Sequence, residues 1–239
     1  MLRLVRLGAL VAVVAAIAAP ASAATLFLSD SARGWITAGA ATNGTAATNN
    51  YLVGFCATTC ANQNTEFRNW FQFSIPTLSD PVVAVHLIID TGNVNTPDAF
   101  ETYQLTSIPS SFVYSDLGTG TLYGSRDYTT VDAGSTGVDI TLDAAAVAAI
   151  VSGTTFGIGG RITTLTSTPG TAELVFGFTG SLSNVQLEII TAPEPSAYGL
   201  VGAGLAGLWF IRRRRASQRS RPRHSLAAII RRRKASISA

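Results

Sequence analysis

The sequence predicts an all-β exported domain, a two-sheet β-sandwich, between two targeting segments. Clusters of Asn, Gly, Ser, Thr and Asp separate roughly nine short β-rich runs between residues 24 and 192, which is an all-β pattern. The charges are segregated: this stretch holds 13 acidic and four basic residues, a formal charge of −9, whereas the whole chain of 239 residues carries +3. Each end of the chain adds an apolar run next to arginines, as targeting segments do. The basic balance therefore does not indicate a nucleic-acid partner.

Residues 1–23 predict a secretory signal peptide. Arg3 and Arg6 give a positive start, the run Leu7–Ala19 is apolar, and Ala21 and Ala23 supply the small residues of a cleavage site. We expect signal peptidase to cleave after Ala23. The alternative is a short membrane anchor that is never cleaved.

Period-two patterns predict the strands of the domain 24–192. In the run Phe67–Ile75 the residues Phe71 and Phe73 share one face, while Arg68 and Gln72 share the other, together with Trp70. The next run, Val82 to Ile89, is apolar on both faces, which predicts a central strand covered on both sides. The remaining predicted strands are Tyr51–Phe55, Thr102–Thr106, Thr121–Tyr123, Val138–Leu142, Thr155–Ile162, Glu173–Phe178 and Val185–Ile190.

One short helix interrupts these strands. Asp143 is placed to cap the alanine-rich run Ala144–Val151, and Gly153 can end it. The low-complexity stretch Thr37–Asn50 predicts a long loop.

Few residues of the domain have a pattern that points to chemistry. Cys56 and Cys60 predict a disulfide because exported cysteines usually pair; free thiols or a metal site are the alternatives. His86 lies in the middle of a predicted strand and has no nucleophile motif with it, which favours a packing role over catalysis. Asp90 and Asp98 are candidate calcium ligands on a flexible loop, and a plain polar turn is the preferred alternative.

Aromatic side chains offer a different kind of binding surface. Trp35, Tyr51, Trp70, Tyr103 and Tyr123 could stack on sugars, but aromatic rings also fill sandwich cores. An exposed pair of Trp35 and Trp70 beside a groove would favour glycan binding, and burial of both would count against it.

The C-terminal region has three parts in a fixed order. Pro193, Glu194 and Pro195 precede an apolar stretch of 15 residues, Ala197–Ile211, and the cluster Arg212, Arg213, Arg214 and Arg215 follows it. The stretch is short for a membrane span of about 20 residues, but snorkelling arginines can lengthen it, so we expect a single transmembrane helix. The arginines then stay on the cytoplasmic side, and residues 24–192 face outward. Residues 216–239 form a basic tail, expected to be cytoplasmic.

This arrangement resembles the PEP-CTERM sorting signal of exported bacterial proteins. The resemblance implies that an exosortase recognises Pro193, Glu194 and Pro195, and that the tail is removed there after transient anchoring in the inner membrane. It also implies association with exopolysaccharide and biofilm matrix, where such proteins are typical. The extension 216–239 departs from the family pattern, which normally ends within a few residues of the arginines.

The middle of the chain is similar to a β-sandwich ectodomain that often accompanies such signals. The segments that carry this looser similarity are residues 31–35, 50–54, 67–71 and 138–142. They imply a jelly-roll-like β-sandwich. The sequence therefore predicts a non-catalytic exported protein of the cell surface or extracellular matrix. The alternatives are a lectin-like carbohydrate-binding module, with or without calcium assisting the binding, and a secreted hydrolase.

Overall fold

Two antiparallel sheets make up the domain in the computed structural model, which describes residues 23–39, 42, 50–57, 64–109, 111–166, 170–176, 184–192 and 197–219. The smaller sheet has the strand order β1-β12-β5-β9, and the larger has the order β6-β11-β3-β4-β10-β7-β8, with β2 also paired to β4. The strands are β1 (Ala24–Ser29), β2 (Ala32–Thr37), β3 (Val53–Cys56), β4 (Thr65–Ser74), β5 (Val82–Ile89), β6 (Val94–Asn95), β7 (Glu101–Ser107), β8 (Leu122–Tyr128), β9 (Val138–Leu142), β10 (Thr155–Ile162), β11 (Glu173–Val175) and β12 (Val185–Thr191).

The core lies between the two sheets. Phe71 and Phe73 of β4 and Ile158 of β10 share one buried cluster with Leu87 of β5 and Ile189 of β12. All five are fully buried. Burying each such side chain stabilises the fold by about 1.5–3 kcal/mol. The period-two pattern of β4 thus places its phenylalanines between the sheets, as the sequence predicts.

The strand patterns predicted from the sequence are confirmed, with one correction. Nine predicted strands correspond to β3–β5 and β7–β12. β5 is an inner strand of its sheet, as expected. The expectation that β5 is covered on both sides is wrong, because Ala84, His86 and Ile88 on its outer face are only half-buried, whereas Val85, Leu87 and Ile89 on its inner face are buried. β1, β2 and β6 were not predicted as strands.

Helix α1 (Ala144–Ser152) forms where the sequence predicts it. The Asp143 carboxylate accepts hydrogen bonds from the N–H groups of Ala145 and Ala146, and Gly153 follows the last turn as the cap. Side-chain capping of this kind satisfies N–H groups that have no partner within the helix. Ala146 and Ile150 are its buried residues and belong to the main core.

The chain divides into two compact units, residues 22–193 and residues 1–21 with 194–239. The first unit contains all twelve of the described strands and the three described core clusters. The signal peptide prediction falls on residues 1–22 and Ala23; of these only Ala23 is described, and it is exposed. The tail prediction for 216–239 also lies largely outside the described residues.

Helix α2 (Ala197–Arg219) is the described part of the second unit. Among the described helices, none has an apolar stretch long enough to cross a membrane, so the prediction of a transmembrane helix is corrected. The physical reason is length. At 1.5 Å per residue, a stretch of 15 residues reaches about 22 Å, against a hydrocarbon core of about 30 Å.

Candidate functional site

The C-terminal end of β12 leads directly into the segment for which the sequence predicts a sorting signal. The Ala192 N–H donates to the carbonyl oxygen of Pro81 at 2.9 Å, which extends the sheet contacts one residue beyond β12. Pro193, Glu194 and Pro195 lie outside the described residues, and α2 begins at Ala197. Only residues 193–196 therefore lie between the last described backbone contact of the domain and the helix.

The two ends of the exported domain meet on the same ladder. Ala24, the first residue after the predicted signal cleavage, lies opposite Thr191 in the β1–β12 pairing. The Thr191 hydroxyl donates to the carbonyl oxygen of Ala24 at 3.4 Å. Cleavage after Ala23 would therefore leave a new N-terminus beside the start of the sorting segment.

The second half of α2 combines aromatic and cationic side chains. The guanidinium of Arg213 lies 5.0 Å from the ring centre of Trp209, and Arg212, Arg213 and Arg215 are exposed. Of Arg214 the structure describes only the backbone. Leu205 and Leu208 are also exposed, at 63 % and 61 %. An apolar stretch followed by a cationic end is thus present on one continuous helix.

Residues 191–215 match the family model of the PEP-CTERM protein-sorting motif. The chain carries a PEP-CTERM sorting motif. The PEP-CTERM match begins at Thr191, the last residue of β12, and ends at Arg215 on α2. A motif of this kind indicates an exported protein that an exosortase sorts. No curated protein matches the chain.

His86 belongs to a hydrogen-bonded group on the outer face of the smaller sheet. Its Nδ1 atom lies 2.9 Å from Oδ1 of Asp139 and 3.4 Å from the hydroxyl oxygen of Thr141, both on the neighbouring strand β9. The described hydrogen bonds of the ring use this one nitrogen. In a catalytic triad the carboxylate holds one ring nitrogen and the nucleophile bonds the other, and the hydrogen bonds described for His86 place no hydroxyl or thiol on its Nε2. The arrangement cross-links two strands.

The cysteine prediction is described for one partner only. Cys56 is fully buried at the end of β3 and is not a free thiol. Cys60 lies outside the described residues, so its pairing with Cys56 stays a prediction.

The structure gives separate environments to the two calcium candidates. Asp90 is 6 % exposed, and its Oδ1 accepts the N–H of Gly137 at 2.9 Å, so this carboxylate holds two loops together. Asp98 is exposed on the polar turn after β6, where its N–H bonds to the Thr96 hydroxyl. In the described ranges, no group of three or more His, Cys, Asp or Glu side chains is arranged to hold a metal. The calcium hypothesis stays a prediction.

The two tryptophans do not form one platform. Gly34 pairs with Trp70 and Trp35 pairs with Asn69, so Trp35 and Trp70 point to opposite faces of the larger sheet. Trp70 is 2 % exposed and packs against the ring of Phe112 at 4.4 Å. Trp35 is half-buried, and its Nε1 donates to Oδ1 of Asn50 at 2.7 Å. Tyr51 and Tyr103 are core residues with no exposed surface.

Arg68 holds the loop 111–120, which covers Trp70. The sequence pattern of β4 places Arg68 opposite the phenylalanine face but does not predict this role. The Nη1 atom of Arg68 donates to the carbonyl oxygens of Tyr114 and Leu117 at 3.2 and 2.9 Å. Its Nε donates to Oε1 of Glu66 at 2.8 Å, while the Tyr114 hydroxyl donates to the other oxygen of Glu66 at 2.7 Å. Burial, and then the Glu66 contact, raise the pKa of Tyr114 to about 12, so its hydroxyl remains a donor.

A groove opens beside this loop, and its lining residues come from β4, β7, β8, β10 and α1 as well as from the loop. It has a volume of about 320 Å³. The ring of Phe112, 39 % exposed, lines it, and so does that of Tyr123, which is only 6 % exposed and belongs to the main core. Burial raises the pKa of Tyr123, which keeps its hydroxyl protonated. The polar side chains that line it are Gln72, Ser107, Ser111 and Thr155. An aromatic wall with hydroxyl and amide groups suits a neutral, hydroxyl-rich ligand.

Sequence reasoning named Tyr123 but missed Phe112, because the groove forms from segments far apart in the chain. Gln72 lies on β4, Phe112 on the loop after β7 and Ala149 on α1. The only local signal was the exposed-face position of Gln72 on its strand.

Proposed function

We propose that the chain is a non-catalytic exported protein of the cell surface or extracellular matrix, associated with exopolysaccharide. The PEP-CTERM motif at residues 191–215 carries this proposal, because it marks the protein for exosortase sorting. The described polar groups support a structural role. Glu101 and Glu173, both fully buried, accept hydrogen bonds from Thr164 and Thr166 and thereby hold one loop in place.

We also propose jelly-roll topology for the domain. The supporting observation is the strand order: β1-β12-β5-β9 in one sheet faces the run β4-β10-β7-β8 in the other. Consecutive strands such as β4 and β5, or β9 and β10, lie in different sheets, as the winding of a jelly roll requires. This topology is common among lectin and capsid domains, and it sets a fold rather than an activity.

Processing would then occur at both ends of one ladder. Signal peptidase cuts after Ala23, and exosortase removes the tail at the Pro193–Pro195 segment. Because Ala192 is still bonded to Pro81, the exosortase works immediately beside the folded sandwich.

The test is expression in hosts with and without exosortase, followed by intact-mass measurement of the exported protein. We expect loss of the segment that contains Arg212–Arg215 only when exosortase is present. Glu194→Ala should prevent this loss, whereas Glu188→Ala on β12 should leave it unchanged. Recovery of the full tail from the exosortase host would contradict the proposal.

A second candidate function is glycan binding in the Phe112 groove. The exposed ring and the surrounding hydroxyl groups favour it. A charge of −9 on residues 24–192 means that an anionic polymer would need bridging cations, so binding should be measured with and without calcium. Aromatic contacts of about 0.5–1.5 kcal/mol predict that Phe112→Ala weakens binding about two- to twelvefold.

Val113→Ala is the matched control, since Val113 is the next residue, is 45 % exposed and does not line the groove. Glycan-array screening followed by calorimetry gives the readout. Equal binding by both variants would remove the groove from consideration and leave the exported, sorted protein intact as a proposal.

A further inference from the structure

The outer edge of β1 presents an ordered row of backbone groups. β1 is the first strand of the smaller sheet and pairs there with β12. The Asp30 N–H donates to the carbonyl oxygen of Val185 directly across the ladder, at 3.3 Å. Since hydrogen-bonded positions alternate along an antiparallel pair, the even-numbered residues of β1 bond to β12. The N–H and C=O groups of Thr25, Phe27 and Ser29 therefore point away from the sheet.

The β1 edge lacks the features that usually prevent edge-to-edge pairing. Its sequence, ATLFLS, has no charged residue, no proline and no glycine, and Phe27 is 56 % exposed. By contrast, β8 and β9, which also end their sheets, carry Arg126 with Asp127 and Asp139. Charged side chains on an edge are a common device against association with another strand.

The sequence of β1 is nearly symmetric about Phe27. Leu26 and Leu28 flank it on the core side, and the hydroxyl residues Thr25 and Ser29 come next on its own side. Two copies in antiparallel register with Phe27 opposite Phe27 would place Thr25 opposite Ser29 and leucine opposite leucine. All three outward-facing residues of each strand would then lie in hydrogen-bonded pairs. The twofold symmetry of such a joint makes it self-complementary.

Charge does not oppose this joint at physiological salt. Two acidic side chains lie beside the joint: Asp30, which follows β1 and pairs with Arg33 at 3.6 Å, and Glu188, opposite Phe27 on β12. The interaction that matters is between the two copies of Glu188, which would lie three strand spacings apart, about 14 Å. That distance exceeds the Debye length of about 8 Å at 0.15 M ionic strength.

We propose that the β1 edge of the exported domain binds the β1 edge of a second copy, antiparallel and centred on Phe27, to join two sheets into one. The pair belongs to the domain 24–192, whose described strands and core are self-contained. Salt should strengthen it, because it screens the repulsion between two domains of −9 each.

Sedimentation velocity over a concentration series tests the dimer, for residues 24–192 and for the full chain in mild detergent. We expect a monomer–dimer equilibrium that shifts toward the dimer as NaCl rises from about 0.05 to about 0.5 M, a range that includes physiological ionic strength. Phe27→Lys should weaken dimerisation at least about tenfold. Thr141→Lys adds the same charge to the opposite edge strand, β9, and should not weaken it. A monomer throughout, or equal effects of the two lysines, would overturn the proposal.

Cysteine cross-linking tests the register even if a lysine variant folds poorly. Hydrogen-bonded partners have Cα atoms about 5.5 Å apart, within the range that a disulfide spans. Phe27→Cys should therefore form a covalent dimer on mild oxidation. Ser29→Cys should not, because the two copies of residue 29 would lie about 14 Å apart. Cross-linking of both variants to the same extent would refute the Phe27-centred register.

Discussion

Gly160 makes room for a buried hydrogen bond that crosses a strand of the larger sheet. Gly160 lies on β10 opposite Asn69 of β4, and the Tyr103 side chain of β7 reaches over it. The Tyr103 hydroxyl donates to Oδ1 of Asn69 at 2.8 Å, and the Asn69 amide donates to the Tyr51 carbonyl oxygen at 2.8 Å. Asn69 and Tyr103 are both fully buried. A Cβ at Gly160 would lie 2.1 Å from the Tyr103 hydroxyl oxygen and 2.2 Å from Asn69 Oδ1.

Gly160→Ala should therefore displace one or both of these side chains. Losing the hydrogen bond between two buried groups costs about 1–3 kcal/mol, and overpacking adds about 1–3 kcal/mol. The lower chain entropy of alanine in a strand returns about 0.5–1 kcal/mol. We expect the free energy of unfolding to fall by about 3 kcal/mol, which lowers Tm by about 6–12 °C for a domain of this size.

Gly157→Ala on the same strand is the control. A Cβ at this position meets Ile108 at an ordinary 3.4 Å, so Tm should stay unchanged or rise slightly. Thermal unfolding followed by near-UV circular dichroism measures both. If Gly160→Ala melts within about 2 °C of Gly157→Ala, the steric reasoning is wrong.

Three further predictions concern pH, a helix cap and a loop. Burial raises the pKa of Tyr103 well above its ordinary value, so the folded state favours the neutral phenol. The contribution of this preference to the free energy of unfolding is complete below about pH 10, the pKa in the unfolded chain, and is lost as pH rises further. Denaturant titrations at about pH 8 and pH 11 should show a lower midpoint at the higher pH, and equal midpoints would contradict this. Asp143→Ala removes both hydrogen bonds of the α1 cap and should cost about 1 kcal/mol in urea unfolding, whereas Asp143→Asn should cost less. Arg68→Met removes the bonds to the Tyr114 and Leu117 carbonyls and should make loop 111–120 more susceptible to proteolysis. Arg126→Met is the control, because the hydrogen bonds described for Arg126 go to Asp132 and Asp139, and equal cleavage rates in the two variants would argue against the clamp.

The strands with strong local patterns could be predicted from the sequence, and three others could not. β5, β9 and β10 begin and end at the predicted residues. β1 directly follows the apolar run of the signal segment, which hides its short alternation. β2 contains Gly34 and a buried Arg33, both unusual in a strand, and β6 has only two residues. Long-range pairing to β12, β4 and β11 specifies these strands.

The sorting motif could be predicted from the sequence and the groove could not, again because one depends on local order and the other on long-range contacts. Pro193–Pro195, the apolar stretch and the arginines follow one another within residues 191–215, so the order of residues alone identifies the motif. Phe112 enters the groove only because Arg68 and the loop place it beside β4, and no local pattern contains that information.

The position of β12 has a mechanical consequence for a molecule held by its C-terminal end. β12 lies between β1 and β5 and hydrogen-bonds to both. A pull on Ala192 would act along the axis of this strand, so the two ladders would resist in shear and share the force. Separation would require many hydrogen bonds to break together instead of one after another. The strand that precedes the sorting segment is thus well placed to bear tension applied through the C-terminal end of the domain.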